Sequence, residues 1–259
     1  MISALGDAHE SVRAFAASAL GRIGLPARAA VAALLPGLRD ARQSVRWRTI
    51  EALWKIGGEA QATVPALASA LESPDAYVRA GAVCALRELG PQARPALPAL
   101  AAATHDESFG VRAVAVQALA SVGGGDTGSV TALTEAMRGS ADGDYRWKAA
   151  RALGQLGPAA VAAAPALVQA LSDDNGHVRR EAAIALGRIG PPAEAVAAVP
   201  LARVLEDPDP TIRVVAARAL GRIRAAGAAA ALARHLEDDD EAVRQAARAS
   251  LEAIREGTR

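Results

Sequence analysis

Aromatic residues are scarce in this chain: three Trp, two Tyr and two Phe make up 3% of its 259 residues. A single cysteine excludes an intramolecular disulfide and a thiolate metal cluster, and it is typical of a reducing compartment. The first residues lack the basic and apolar regions of a signal peptide, and no apolar stretch is long enough to cross a bilayer. We therefore expect a cytoplasmic protein without a membrane partner.

Charge of one sign is also missing, because 29 basic and 28 acidic residues leave a formal net charge of +1. Such a balance gives no bulk attraction to nucleic acid, so we do not expect a nucleic-acid partner. What is abundant is alanine, with 68 residues. Alanine is the strongest helix former, whereas strand formers are few, so the composition predicts an all-α protein.

An apolar–arginine pair recurs along the whole chain at intervals of 31 to 34 residues. The eight copies are Val12-Arg13, Val45-Arg46, Val78-Arg79, Val111-Arg112, Tyr145-Arg146, Val178-Arg179, Ile212-Arg213 and Val243-Arg244. Regular self-similarity of this length is typical of stacked helical repeats. We number the copies repeats 1 to 8, and we count positions within each repeat from the first residue of its pair, position 0.

Each repeat contains two helical patterns. Apolar residues at positions 0, 4, 7, 8 and 11 fall on one side of a helix, which we call helix B. A second apolar stripe upstream, such as Val64, Leu67 and Leu71, predicts helix A. Two short helices cannot bury both apolar faces alone, but stacked copies form a continuous core. The sequence therefore predicts an α-solenoid that forms a single domain over residues 1–259.

The segment from Asp173 to Gly190, DDNGHVRREAAIALGRIG, resembles the short HEAT-like repeats of phycobilisome lyase subunits and many bacterial scaffold proteins. The resemblance extends over nearly the whole chain and implies a right-handed superhelix of about eight two-helix repeats. Met1 falls inside the first helix A, so the first repeat is expected to be truncated. Neither end carries a distinct polar cap, which predicts a fragment of a longer array or ends covered by a partner, including end-to-end self-association.

In that family, a loop aspartate and the helix-B arginine form a hydrogen-bonded ladder between repeats. The corresponding residues are Asp7, Arg13, Asp40, Arg46, Arg79, Asp106, Arg112, Arg146, Asp173, Arg179, Asp207, Arg213, Asp238 and Arg244. Repeats 3 and 5 depart from the pattern, because Ser73 and Ser140 occupy the aspartate position. A residue repeated in register serves the stack, so we interpret these arginines as structural.

The family resemblance also places the B helices on the concave surface, where positions 2, 5, 6 and 9 are expected to point away from the core. The candidate partner-binding residues at these positions are Trp47, Ile50, Trp54, Val83, Arg87, Trp147, Arg151, Arg180 and Arg218. Tryptophan and arginine are enriched at binding hot spots. The structural alternatives are that the tryptophans fill gaps beside small residues, and that the arginines pair with loop carboxylates such as Asp207 and Asp239.

Catalytic and metal-binding patterns are not supported. The stretch GGGDTG at 123–128 follows a helix rather than a strand, which is the wrong context for dinucleotide binding. His9-Glu10 is the one His-Glu dipeptide, whereas the HEAT-type deoxyhypusine hydroxylases use several to bind iron. We therefore predict neither a metal nor a cofactor, and a protein that is not an enzyme.

The sequence favours a non-catalytic scaffold that binds a peptide or another protein in the groove lined by B helices. Two alternatives remain open. One is a subunit similar to bilin lyases, in which Trp and Arg side chains contact a tetrapyrrole. The other is a HEAT-like DNA-binding protein, against which the neutral charge balance argues.

Overall fold

The computed structural model describes residues 1–56 and 60–257. They fall into two compact parts, which we call the N-terminal half, Met1–Gly124, and the C-terminal half, Gly125–Arg259. Regular structure in the described residues consists of α-helices and 3₁₀ turns without strands, which confirms the all-α prediction. The single domain over residues 1–259 stays a prediction.

The N-terminal half contains repeats 1 to 4. Its B helices are α1 (Glu10–Ile23), α3 (Gln43–Ile56), α5 (Ala76–Leu89) and α7 (Phe109–Gly123), and its A helices are α2 (Val31–Leu34), α4 (Ala60–Ala70) and α6 (Leu97–Ala103). In the position of the first A helix stands one 3₁₀ turn, Ser3–Gly6. The first repeat is thus shorter than the others within this chain.

The C-terminal half contains repeats 5 to 8. Its B helices are α9 (Gly143–Leu156), α11 (Gly176–Ile189), α13 (Pro210–Arg222) and α15 (Glu241–Gly257), and its A helices are α8 (Thr127–Gly139), α10 (Ala164–Ala170), α12 (Glu194–Val204) and α14 (Ala229–Arg234). Within each half, consecutive B helices pack against each other, and every B helix from α3 onward packs against its own A helix. This neighbour-to-neighbour packing is the solenoid arrangement.

Local sequence sets where the B helices begin and end. In five of them the residue before the first turn accepts a backbone N–H two residues ahead, and these caps are Asp75, Asp142, Asn175, Asp209 and Asp240. At the other end, Gly90 and Gly157 have φ of 57° and 59°, a conformation that L side chains rarely adopt. The helix therefore stops where the glycine reverses the chain toward the next A segment.

The A segments are less regular than the B helices. Several begin with a 3₁₀ turn, as in Gly90–Ala96 and Gly157–Ala163. In repeat 2 the α-helix ends at Leu34, and a second 3₁₀ turn, Leu35–Arg39, follows through Pro36. Proline lacks the N–H that would continue the helix, so the α-helix ends just before Pro36.

The core of each half repeats one leucine layer. Position 8 of the B helices supplies one set of buried leucines and the A helices supply another: Leu53, Leu86, Leu119, Leu153, Leu186 and Leu220 from B, and Leu67, Leu100, Leu133, Leu167, Leu201 and Leu232 from A. Burying each of these side chains contributes about 2 kcal/mol. Alanines fill the remaining contacts, which explains how so many short helices pack with so few aromatic residues.

Candidate functional site

The outward face of the B helices differs from the one that the sequence suggested. Positions −1, 2, 6 and 10 carry exposed or half-exposed side chains, as does position 3 in most repeats and position 9 in repeats 2, 3 and 8, whereas position 5 is buried in repeats 1 to 7. Ile50 and Val83, which we expected to line the surface, are 2% and 0% exposed, so that prediction was wrong for both residues. The reason is that a B helix contacts three neighbours, one A helix and two B helices, which buries a wider arc than one amphipathic stripe.

Position 9 also has a role that the sequence did not reveal. A methyl group added at Gly21 would lie 2.8 Å from the Cα of Ala52, and one at Gly154 would lie 3.0 Å from the Cα of Ala185. Each contact joins position 9 of one B helix to position 7 of the next. These glycines therefore allow the B helices to approach each other closely, and they do not form part of an open surface.

An aromatic surface lies on α3 and α5 in the N-terminal half, and we define it by Trp47, Trp54, Tyr77 and Cys84. Both tryptophans are 47% exposed, and Tyr77 is 73% exposed. Trp47 packs over Gly81, where an added methyl group would lie 3.1 Å from its ring. The small residue thus leaves room for the indole to lie across the neighbouring helix.

Charged groups around the aromatic surface are largely paired with each other. Glu51 accepts hydrogen bonds from Lys55 at 2.6 Å and from Arg48 at 2.9 Å, and these bonds lower the pKa of its carboxyl group. Arg87 contacts Glu88 at 2.9 Å and the side-chain oxygen of Gln117 at 3.3 Å. The predicted site residue Arg87 is therefore engaged locally, and the surface beside it is close to neutral.

Cys84 occupies position 6 of α5, at the edge of the aromatic surface. It is half-buried, and this desolvation raises the pKa of its thiol. A thiol with a raised pKa is mostly protonated near neutral pH and is a poor nucleophile. The environment of Cys84 is thus unlike that of an activated catalytic cysteine.

The third tryptophan belongs to the C-terminal half and is more enclosed than the other two. The Nε1–H of Trp147 points to the Asp144 carboxylate at 3.4 Å, and the Lys148 ammonium lies 3.7 Å from its ring centroid. The His177 ring lies 6.5 Å away at a tilt of 48°. Side chains of its own half therefore occupy much of the indole's surroundings.

The predicted arginines of the C-terminal half, Arg151, Arg180 and Arg218, are all exposed on B helices. Arg188 and Arg222, at position 10 of α11 and α13, lie on the same outward side, and the sequence analysis did not select them. We call these five residues the arginine face. The signal that could have found the two missed residues was position 10, which we had not counted as outward.

The ladder arginines differ from this face because acidic groups surround them. In the N-terminal half, the guanidinium of Arg13 donates two hydrogen bonds to Asp40, at 2.7 and 3.0 Å, and Arg79 donates two to Asp106, at 2.7 and 2.8 Å. Each arginine also donates to the backbone carbonyl of its own loop, as Arg13 does to Asp7 at 2.8 Å. One side chain thus connects its own loop to the loop of the next repeat.

The same arrangement recurs in the C-terminal half. The rungs are Arg146 to Asp173, Arg179 to Asp207 and Arg213 to Asp238, each with a shortest contact of 2.7 Å. At the last repeat, Arg244 donates to the carbonyls of Asp238 and Asp239. Arg112 donates to the carbonyls of Asp106 and Glu107 within the N-terminal half. Most of the ladder residues that the sequence paired are therefore in contact.

The rung between repeats 2 and 3 is different, because Ser73 stands in place of the usual aspartate. Arg46 instead donates one bond to the capping residue Asp75, at 2.7 Å. Its Nε is buried and is the one buried side-chain nitrogen or oxygen without a partner among the described residues. A cleft of about 890 Å³ opens beside it, lined by Leu35, Pro36, Ser69 and other residues. The ladder is therefore incomplete at this junction.

Ladder bonds change the acidity of the loop carboxylates. The hydrogen bond from Arg79 lowers the pKa of Asp106, and the bond from Arg13 lowers that of Asp40. For Asp238, burial alone would raise the pKa, but hydrogen bonds from Arg213 and from the Asp240 backbone outweigh it and lower the value to about 2. These carboxylates are fully ionised at neutral pH, so each rung is a charged pair.

The described residues contain neither a metal-binding cluster nor a single membrane-spanning helix. No cluster of three or more metal-binding side chains occurs in the described part of the chain. Within the same residues, no single helix is long and apolar enough to cross a membrane, although Gly176–Ile189 and Pro191–Val204, bent by 115°, together pass that test of length and composition.

Helix pairs stacked through leucine layers and an arginine–aspartate ladder define a helical-repeat solenoid. More specifically, a family model of HEAT repeats matches residues 1–86, 31–120, 64–138, 130–203 and 194–252, so the chain belongs to the HEAT repeat family. This confirms the predicted family, while the resemblance to the phycobilisome lyase type stays a prediction. A search of curated proteins gives no match.

Solved structures share the fold at low sequence identity. One is from a structure of Kap95p with RanGDP, at 16% identity and a TM-score of 0.70, with 98% of this chain and 39% of that chain covered. Another is from a study of the interaction between cadherin and beta-catenin, at 18% identity and a TM-score of 0.58, with 98% and 59% covered. The chain thus spans about two fifths to three fifths of their lengths.

Proposed function

We propose that this protein is a non-catalytic scaffold that binds a peptide or protein partner on the outward face of its B helices. The observation that carries the proposal is the aromatic surface, where Trp47 and Trp54 each leave 47% of their area in water on one helix. The similar solenoids from structures of Kap95p with RanGDP and of the cadherin–beta-catenin interaction also concern protein partners, which supports this choice.

The chemistry of the aromatic surface suits a partner with apolar side chains. Large indole rings bury much area on binding and have little conformational entropy to lose. Trp47 is already held over Gly81, so its ring is partly ordered before a partner arrives. Glu51 pairs with both Arg48 and Lys55 beside it, so neither cation is unpaired when an apolar side chain approaches.

The test is affinity capture with the full chain, followed by titration of the purified captured partner. Trp47→Ala combined with Trp54→Ala is expected to weaken the titrated affinity at least tenfold, because hot-spot tryptophans contribute about 2 kcal/mol or more each. Phe15→Ala is the matched control, since Phe15 is an aromatic residue 76% exposed on α1 and does not belong to the residues that define this surface. Equal affinity of the wild type and the double variant, with circular dichroism showing both folded, would refute the proposal.

A tetrapyrrole-handling subunit, the enzymatic alternative, makes a different prediction. Trp and Arg side chains would then contact the rings and propionates of a bilin, and its visible absorbance would shift on addition of the protein. Absence of a shift, together with Trp-dependent capture of a protein, would leave the scaffold as the function.

A further inference from the structure

The arginine face gathers five cations on three consecutive B helices. Arg151 lies on α9, Arg180 and Arg188 on α11, and Arg218 and Arg222 on α13, all exposed at positions 2, 6 or 10. The carboxylates among the exposed or half-exposed residues at positions −1, 2, 3, 6 and 10 of these three helices are Asp144, beside the Trp147 Nε1, and Glu181, beside Arg180. This side of the C-terminal half is therefore strongly cationic.

These arginines lack the acidic partners that other arginines have. Arg151, Arg188, Arg218 and Arg222 form no ion pair within the described residues, and Arg180 reaches Glu181 at 3.5 Å. The loop carboxylates that could have neutralised them are already used. Asp207 is bound by Arg179, and Asp239 by Arg213, both of which belong to the ladder. The structural alternative for these arginines, pairing with the loops, is thus not realised.

The charge of the C-terminal half is segregated by this arrangement. Residues 125–259 contain 17 basic and 18 acidic residues, so this half carries no net positive charge. Its acidic side chains concentrate in the loops that precede the B helices, whereas the exposed arginines lie along the helices. This half has a cationic face but no excess of positive charge. The face therefore indicates recognition of a specific anionic surface by charge complementarity, and not a general attraction to anions.

We propose that the arginine face binds an acidic segment of a partner polypeptide. The proposal rests on the proposed function and names the partner chemistry that this part of the scaffold recognises. Guanidinium groups bind carboxylates through two parallel hydrogen bonds, a geometry that a lysine surface would lack. Half-exposed Ile184 and Val214 between the arginines add apolar contact for the partner's side chains.

The distance between neighbouring B helices determines how far apart the carboxylates of the partner segment must be. A methyl group added at Gly187 would lie 3.0 Å from the Cα of Ala219, so α11 and α13 pack at the short end of the usual range, roughly 8 Å between axes. An extended peptide advances about 3.3 Å per residue. Carboxylates two or three residues apart can therefore meet arginines of successive helices, provided the segment runs across them.

A shallow depression lies at one edge of the arginine face. It has a volume of about 360 Å³ and is lined by Gly176, His177, Arg180, Asp209 and Thr211. Asp209 there accepts hydrogen bonds from the backbone and hydroxyl of Thr211 at the start of α13, and these bonds favour its ionised form. Arg180 and Asp209 thus give this depression one charge of each sign.

The same observations disfavour a nucleic acid as the occupant. Single strands are held by aromatic platforms between the cations, and the one tryptophan on this side, Trp147, has Lys148 over its ring and His177 at its side. Nucleic-acid-binding domains commonly have pI values above about 9, whereas this chain has a pI of about 8.0. An acidic polypeptide needs neither a stacking platform nor a basic domain.

The test measures fluorescence anisotropy of a labelled twelve-residue peptide of alternating Glu and Ala, titrated with the full chain. Arg180→Gln combined with Arg218→Gln is compared with Arg203→Gln combined with Arg234→Gln, which removes the same charge from exposed positions on A helices α12 and α14. The first pair is expected to weaken peptide binding about tenfold, and the control pair less than twofold. Probes of alternating Lys and Ala, and a twelve-nucleotide DNA strand, should bind more weakly than the acidic peptide.

Three results would overturn the inference: no binding of the acidic peptide, equal losses in both variant pairs, or tighter binding of the DNA strand. The Trp47→Ala, Trp54→Ala protein separates this inference from the proposed function, because those residues lie on the aromatic surface. If Trp-dependent partner capture persists while the acidic peptide does not bind, the inference about the arginine face is refuted and the proposed function is not. If the peptide binds and Trp-dependent capture fails, the aromatic-surface proposal falls.

Discussion

Replacing Ser73 by Asp is expected to stabilise the N-terminal half by completing its ladder. At present Arg46 donates one bond to Asp75, while its buried Nε has no acceptor. In repeat 7 an aspartate at the equivalent position, Asp207, coexists with a capping aspartate two residues later, Asp209. Ser73→Asp recreates this pair, so the new carboxylate should reach the Nε without rearrangement of the loop.

The size of the effect follows from the contacts. A hydrogen bond to a charged group contributes about 1.5–3 kcal/mol. The gain is reduced because the Arg46 side chain is 17% exposed and because the new carboxylate stands near Asp75. We therefore expect about 1 kcal/mol of added stability, which corresponds to a rise in Tm of roughly 2–4 °C for a protein of this size.

Urea and thermal unfolding followed by tryptophan fluorescence can measure this change, because Trp47 and Trp54 lie on the same helix as Arg46. Ser73→Asn is the control, since it has the shape of aspartate without the charge, and it should give less than half of the gain. The gain should also vanish in an Arg46→Gln background, as a double-mutant cycle would show. An unchanged Tm, or equal gains in stability with and without Arg46, would show that the carboxylate at position 73 does not bind the Arg46 Nε.

Three further predictions test other contacts. Gly154→Ala should destabilise the protein by about 1–2 kcal/mol because its methyl group meets the Ala185 backbone. Gly139→Ala, which has nothing within 4 Å of the added methyl group, should stabilise the protein by a few tenths of a kcal/mol. Urea unfolding of both variants measures the two effects. Asp238 contributes stability that is present above its ordinary pKa of 3.8 and is lost as the pH falls toward about 2, so Asp238→Asn should flatten the acid unfolding curve between those values, and an unchanged curve would contradict this. Cys84 should react with an alkylating reagent more slowly than a free thiol at pH 8, because burial raises its pKa, and an equal rate would contradict the assigned environment.

The parts of the fold that sequence could predict are those governed by local signals. Helix caps such as Asp142 and Asn175, and terminating glycines such as Gly157, act within a few residues of the chain, so periodicity and residue type reveal them. The ladder could be predicted because a family pattern supplied the pairing. Contacts across neighbouring repeats could not be predicted from one helical wheel, and this is why Ile50 was misplaced.

The candidate site was predictable in part for the same reason. The exposure of Trp47 and Trp54 follows from their positions, but the support of Trp47 by Gly81 depends on how closely α3 and α5 approach. The distinction between paired and unpaired arginines was also hidden in the sequence. It depends on which carboxylates Arg179 and Arg213 already bind, and only three-dimensional structure shows this.

The close contact between position 9 of one B helix and position 7 of the next has an evolutionary consequence. Because Gly154 and Gly187 meet alanines in the same register, the α9–α11 and α11–α13 junctions of the C-terminal half are nearly interchangeable. A duplicated or deleted repeat would present a matching surface to its new neighbour, so the chain could change length without redesigning its core. Residues at the outward positions could then differ from repeat to repeat, as those of the aromatic surface and the arginine face do.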